Sequence, residues 1–373
     1  METQQDNSKL YWFLRLIRWE NLVIIFATQY LFGKYVINAL FNVPDQVFQK
    51  FYQEQGLQGA PFHFGLKLSD LNFFLLCLST VLIAAAGYII NDYFDVKTDR
   101  INRPSSLIID KRIKRRVAML LHVLFNFLGI ALGVYLAIVC GNIQLAAIQL
   151  LSASLLWFYS TNFKKMFFLG NFIVALLVAV VPLTVVVFNQ SALEKACTDA
   201  FVNDPVYFRF ITMFNVDTRR PLDFAIVFSL FAFLINFQRE IVKDMEDFIG
   251  DLETGGETIP IRMGHKFAKS VVHVLNGFTI LIAVYASVKF LIPNKDFVWY
   301  KLGVSGATNS NIDGLSFVYF LIFIVLPLLV FIFYLNRSNS PQSYRRAGYI
   351  LKFVMLSGVL YSFVIWYNFT QAI

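Results

Sequence analysis

The chain alternates between long apolar runs and short polar or charged segments. A helix needs about 20 mostly apolar residues to cross a bilayer. Nine runs meet or approach that length: Asn21–Phe41, Leu71–Ile90, Val117–Cys140, Ile143–Ser160, Phe167–Phe188, Leu222–Phe237, Val271–Ile292, Phe317–Leu335 and Tyr349–Tyr367. The sixth is the shortest and is expected to continue into the polar stretch behind it. The pattern predicts an all-α polytopic membrane protein, with nine transmembrane helices bundled around a central cavity. A single domain over 1–373 is expected, and residues 1–20 are read as a cytoplasmic amphipathic N-terminus. Three outer connections, about 42–70, 189–221 and 293–316, are long and carry no recognisable motif.

Composition agrees with this pattern. Of 373 residues, 57% are hydrophobic and only 15% charged, and the mean hydropathy is +0.61. Soluble domains run near 45–50% apolar and about 25% charged. An ordinary soluble enzyme, a disordered scaffold and a secreted disulfide framework are thereby excluded. Cys77, Cys140 and Cys197 lie far apart, and the four His are scattered, so no zinc spacing is present. Met1–Lys9 is polar and lacks the apolar core of a signal peptide.

The 32 Lys and Arg exceed the 24 Asp and Glu by eight. With the N-terminus inside, about 21 of those 32 basic residues fall on inner segments, which the positive-inside rule favours. The densest run, Lys111 to Arg116, is among them. This predicts residence in the cell (inner) membrane, a cytoplasmic N-terminus and a C-terminus on the opposite side. The acidic segments at 91–116 and 239–269 then face the cytoplasm. A basic inner face attracts anionic headgroups of the lipid bilayer or an anionic substrate. No nucleic-acid-binding module is recognisable, so no nucleic acid partner is expected.

Acidic residues are scarce and clustered. Asn91, Asp95 and Asp99 repeat at i, i+4, i+8 where the second run ends. Asp244, Asp247 and Asp251 repeat at i, i+3, i+7 where the sixth ends. On a helix each set shares one face, and like charges at that spacing destabilise it. A divalent cation would compensate, and Mg²⁺ takes one or two carboxylates plus substrate phosphates. Runs two and six are an even number of crossings apart, so both acidic ends lie on the same side. Two carboxylate clusters holding two Mg²⁺ ions would clamp a diphosphate. The plainer reading is a pair of solvated helix ends, but membrane-edge carboxylates are usually functional. Arg100, Arg103, Lys164, Lys165, Arg239 and Lys243 lie nearby on the same side and suit phosphate.

Three sequence strings now bear on family. Asn-Asp-x-x-Asp-x-x-x-Asp-Arg-x-x-Arg-Pro runs from Asn91 to Pro104, and Lys-Asp-x-x-Asp-x-x-Gly-Asp-x-x-x-Gly from Lys243 to Gly255. Tyr159-Ser160-x-x-x-Lys164, followed by Gly170-Asn171, lies between them. In this order, over essentially the whole chain, the set resembles the UbiA superfamily of intramembrane prenyltransferases. The resemblance implies Mg²⁺-dependent transfer of a prenyl group from a polyprenyl diphosphate donor to a hydrophobic acceptor, releasing diphosphate. It implies that Asn91 and Asp95 hold one Mg²⁺ with Asp99 in support. Asp247 and Asp251 would hold the other, supported by Asp244. It also implies that Asp95, Asp247 and Lys164 serve catalysis, that Tyr159 and Lys164 touch the diphosphate, and that Arg18 and Asn21 lie in the acceptor pocket.

Two features depart from the family pattern. The Tyr-to-Lys spacing is one residue longer than the commonest form, and Ser105–Lys111 replaces the usual Leu-Pro-x-Gly that covers the site. The string Arg239-Glu240-Ile241-Val242-Lys243-Asp244 resembles the branch that prenylates geranylgeranylglyceryl phosphate. Related strings in homogentisate and chlorophyll branches leave an aromatic acceptor open. Outside enzymes, an ion-coupled transporter is the alternative, although transporters place such acids near the midplane. A structural membrane protein with charged helix ends is a third reading.

Overall fold

A computed structural model describes residues 9–54, 56, 62–203, 218–289 and 314–371. The described chain is helical apart from turns and one isolated bridge, Ile109 to Ile113. A short helix α1 (Lys9–Leu16) precedes α2 (Trp19–Leu31), which passes through a wide turn at Phe32–Ile37 into α3 (Asn38–Glu54). There follow α4 (Asp70–Phe94), α5 (Val96–Asn102), α6 (Arg115–Val139), α7 (Ala146–Thr161) and α8 (Leu169–Asn203). The second half holds α9 (Arg220–Glu246), α10 (Phe248–Glu253), α11 (Ile259–Lys289), α12 (Gly314–Phe320), α13 (Leu326–Arg337) and α14 (Pro341–Gln371).

Among the described residues, nine helical segments are long and apolar enough to span a membrane. They overlap the nine predicted runs. The sixth does continue into its polar tail, ending at Glu246. Two predicted outer connections are partly helical instead. Helix α3 fills much of 42–70, and α8 continues past Phe188 to Asn203. Residues 57–61, 204–217 and 290–313 of the predicted connections and of the seventh run's end lie outside the described residues.

Helix α4 packs on α6 and α7, and α9 packs between α8, α11 and α14. Small residues let helices approach closely in lipid; Ser79 of α4 donates to the Gly129 carbonyl of α6 at 2.7 Å. The outward faces carry exposed Leu120, Phe127, Phe278 and Phe333, as expected where the solvent is hydrocarbon. The α4 and α9 termini that bear the acidic strings are thus held at one end of the bundle.

Candidate active site

Both acidic strings bend at their central aspartate. Helix α4 ends at Phe94, Asp95 sits at φ −81°, ψ −3°, and α5 starts at the next residue. Helix α9 ends at Glu246, Asp247 sits at φ −91°, ψ 7°, and α10 follows. This corrects the expectation of one unbroken helix face for each set. The amide ladder still crosses each bend, since Asp99 N donates to Asp95 O at 2.8 Å and Asp251 N to Asp247 O at 3.1 Å. Each bend adopts the sparsely populated bridge conformation, common at functional positions.

The two short helices lock onto each other. Asn102 donates to the Asp247 carbonyl at 3.0 Å and accepts from Gly250 N at 2.9 Å. A Cβ at position 250 would lie 2.5 Å from the Asn102 amide, so a larger residue there would displace that side chain and its two hydrogen bonds. The Thr98 and Thr254 hydroxyls meet at 3.1 Å. Lys165 donates to the Thr254 carbonyl at 2.8 Å and so clamps the second string.

Between the bends lies a polar chamber of about 450 Å³. Its acidic lining includes Asp92, Asp95, Asp99, Asp247 and Asp251, and its basic lining includes Arg18, Arg103, Lys164, Arg239 and Lys243. Asp95 accepts from Asn91 Nδ2 at 2.7 Å and pairs with Lys164. Arg103 bridges Asp247 at 2.6 Å and Glu246 at 2.9 Å. Arg18 pairs with Asp92 at 2.7 Å and stands 5.0 Å from the Tyr88 ring centroid. Arg18 adopts a left-handed φ of 51° at the α1–α2 break, a strained backbone for a non-glycine residue.

Burial opposes the charge on Lys164, yet Asp95 and Tyr159 hold its pKa above the ordinary lysine range. Burial likewise opposes the charge on Arg18 and Arg103, and their carboxylate neighbours hold both pKa values high. Burial, helped by Asp95 and Asp92, pushes the Asp99 carboxyl up to about 6. Burial also pushes Asp251 to about 6, with Asp247 adding and Lys164 opposing.

The predicted residues do not all converge. Asn21, Arg239 and Lys243 line the chamber, and both basic residues share Glu240, at 3.3 and 3.9 Å. Asn91 and Tyr159 line an adjoining cavity of about 160 Å³, apolar at Leu156, Leu177 and Val178 and sharing Arg18, Asn21, Arg239 and Lys243 with the chamber. Asp244 is turned from the chamber and accepts from Asn171 at 2.8 Å. Arg100, expected at the diphosphate, is exposed, lies 3.6 Å from Asp110 and is not among the residues that line the chamber. Three contributors escape the sequence reading of the site: Asp92, Asn102 and, as a holder of Asp244, Asn171. All three stand inside the quoted strings without a role assigned; what they touch depends on packing across more than seventy residues.

A sequence profile of the UbiA prenyltransferase family matches residues 59–356. The chain belongs to this family. Among curated UbiA-type relatives, digeranylgeranylglyceryl phosphate synthase of Pyrococcus abyssi is 30% identical over 207 residues, covering 56% of this chain and 62% of that protein. The synthase of Pyrococcus horikoshii is 32% identical over 216 residues, covering 58% and 65%. The chain therefore spans less than two thirds of the length of these relatives. A solved structure of digeranylgeranylglyceryl phosphate synthase superposes with a TM-score of 0.54 at 22% identity, over 95% of this chain and 98% of that one. A UbiA homologue from Aeropyrum pernix gives 0.53 at 13% identity, over 92% and 97%. These two likenesses carry the UbiA fold.

Proposed function

We propose that the chain transfers a geranylgeranyl group from its diphosphate, the length the relatives' names suggest, to the hydroxyl of a glyceryl-phosphate lipid. The observation that carries this is the pair of acidic bends facing one chamber, lined by basic side chains that include Lys164, Arg239 and Lys243 and adjoining a largely apolar cavity. The relatives named as digeranylgeranylglyceryl phosphate synthases support this acceptor over an aromatic one. The reading takes 1–373 as one functional unit, with a cytoplasmic N-terminus in the cell membrane.

The residues fit Mg²⁺. Asn91 Oδ1 is buried without a hydrogen-bond partner. Neither the Asp99 nor the Asp251 carboxylate takes an ion pair among the described residues. Mg²⁺ usually takes one or two carboxylates and completes its shell with phosphate oxygens and water. Asn91 and Asp95, supported by Asp99, would hold one ion. Asp247 and Asp251, supported through Asp244, would hold a second. Mg²⁺ bound there would neutralise charge on a departing diphosphate.

Lys164, Arg239 and Lys243 would bind the diphosphate oxygens and stabilise the charge that develops as the C1–O bond breaks. The bonding pair leaves with diphosphate, the acceptor oxygen forms the new C–O bond, and the released diphosphate takes the hydroxyl proton. Tyr159 and Tyr88 offer ring faces to an allylic cation, and the apolar cavity excludes water from it. Arg103 holds Asp247 in place.

The test uses purified protein with Mg²⁺, labelled geranylgeranyl diphosphate and a panel of acceptors: geranylgeranylglyceryl phosphate, dihydroxynaphthoate, 4-hydroxybenzoate and homogentisate. An EDTA-sensitive ether product with the first is expected. Asp95→Ala and Asp247→Ala should each abolish turnover in a folded protein. Activity like that of the unmodified protein from either would remove the two-metal assignment.

A further inference from the structure

Glu246 closes α9 directly before the bend at Asp247. It lies inside the second acidic string but outside its Asp spacing. Its side chain is only 9% exposed, and a carboxylate placed so deeply needs charge partners. It has two. Its Oε1 accepts from Arg103 Nη2 at 2.9 Å and from Arg345 Nε at 2.8 Å. Arg103 caps α5 at the end of the first acidic string. Arg345 comes from α14, 99 residues beyond Glu246. One oxygen therefore ties the ends of three helices together at the chamber wall, which all three side chains line.

The same Arg103 nitrogen also donates to Asp247 Oδ1 at 2.6 Å. Asp247 has no other ion pair among the described residues. Asp247, Arg103, Glu246 and Arg345 thus form an open row of alternating sign with no net charge. Arg103 sits where the pull of Asp247 balances that of Glu246, and Arg345 takes up part of the Glu246 charge. The far end of the row is anchored. Tyr344, next to Arg345, is 2% exposed and packs in one core with Ile241 and Met245 of α9. A divalent cation that approaches Asp247 must compete with Arg103 for its charge. How firmly Glu246 draws that guanidinium away decides how much of the charge the cation meets.

We infer that Glu246 is a positioning residue that draws Arg103 off Asp247 and leaves this carboxylate charged for the metal, and that Arg345 of α14 sets the strength of the draw. This rests on the metal-dependent transfer reading and names what prepares one of its ligands. Neither Glu246 nor Arg345 touches the ion. Both act through Arg103.

The test reads binding of Mn²⁺, a paramagnetic substitute for Mg²⁺, to the purified full chain without donor. Bound ion is measured by loss of the free-ion electron paramagnetic resonance signal. Glu246→Gln keeps the shape and removes the charge. It should weaken Mn²⁺ binding about tenfold, the ratio expected when one charged hydrogen bond is redirected. Arg345→Gln should do the opposite and tighten binding severalfold, an outcome that loss of folding cannot mimic. In an Arg103→Gln background both effects should vanish, because the row acts through that guanidinium. Unchanged affinity in Glu246→Gln overturns the inference, as does an Arg345→Gln protein that binds no more tightly. So does loss of Mn²⁺ binding from Arg103→Gln alone, or persistence of the Glu246→Gln effect in it, since the charge would then act on the ion directly. An unmodified protein that binds no Mn²⁺ removes the metal reading itself, and the inference falls with it.

Discussion

Asp99 and Asp251 face the chamber with no ion pair among the described residues, and both are half-buried. In the folded chain each holds its proton up to about pH 6, against 3.8 for an ordinary aspartate. The folded state therefore binds more protons than the unfolded one between those values, and these two groups make stability fall as pH rises through that window. Above it they are charged and under-compensated, a deficit that a divalent cation offsets. Added Mg²⁺ is expected to raise the melting temperature at about pH 7.5 and to have little effect at about pH 5. An equal rise at both values would contradict the metal assignment of these carboxylates. Asn102 acts on backbone rather than ligand. Its replacement by Ala removes two hydrogen bonds across the α5–α10 contact, and a loss of about 1–3 kcal/mol is expected in equilibrium unfolding.

At the scale of elements, the start of α8 decides where Lys164 stands. Gly170 lies so close to the preceding turn that a Cβ would fall 2.8 Å from the Phe163 carbonyl oxygen and 3.0 Å from Lys164 Cα. Both are backbone atoms and cannot swing aside. The next residue, Asn171, holds Asp244 at 2.8 Å. Gly170→Val would push α8 from the turn and move Lys164 and Asn171 together. Turnover is expected to fall at least tenfold, with helix content by circular dichroism unchanged. Full turnover would show that the contact between this turn and α8 does not position the lysine.

For the whole molecule, the nine spanning-length helices among the described residues and the basic residues gathered beside the acidic bends support the proposed topology, with a cytoplasmic N-terminus and the C-terminus on the opposite face. A cysteine introduced at Lys9, in a background with Cys77, Cys140 and Cys197 replaced by Ser, is expected to react with a membrane-impermeant maleimide in inside-out vesicles only. Reaction in sealed right-side-out vesicles would invert the proposed orientation and carry the chamber to the other face. The stripe of exposed Leu and Phe on α6, α11 and α13 is consistent with either orientation, because hydrocarbon contacts both alike.

Hydropathy alone determined the number of spans, and parity alone put the ends of runs two and six on the same side. Both follow from local rules: a run of apolar residues must cross, and an even number of crossings returns to the starting face. The acidic spacing marked where metal chemistry would be, because residues within a few turns of each other have nearly fixed relations. Tertiary packing decided the rest. Arg100 and Arg103 are three residues apart, yet one turns out to Asp110 and the other reaches Asp247, 144 residues away. Lys164 and Lys165 are adjacent, yet the first enters the chamber to meet Asp95 and the second secures the Thr254 carbonyl. Spacing along a helix sets the face a side chain shares, but its partner on another helix depends on how the helices pack, and periodicity carries no record of that.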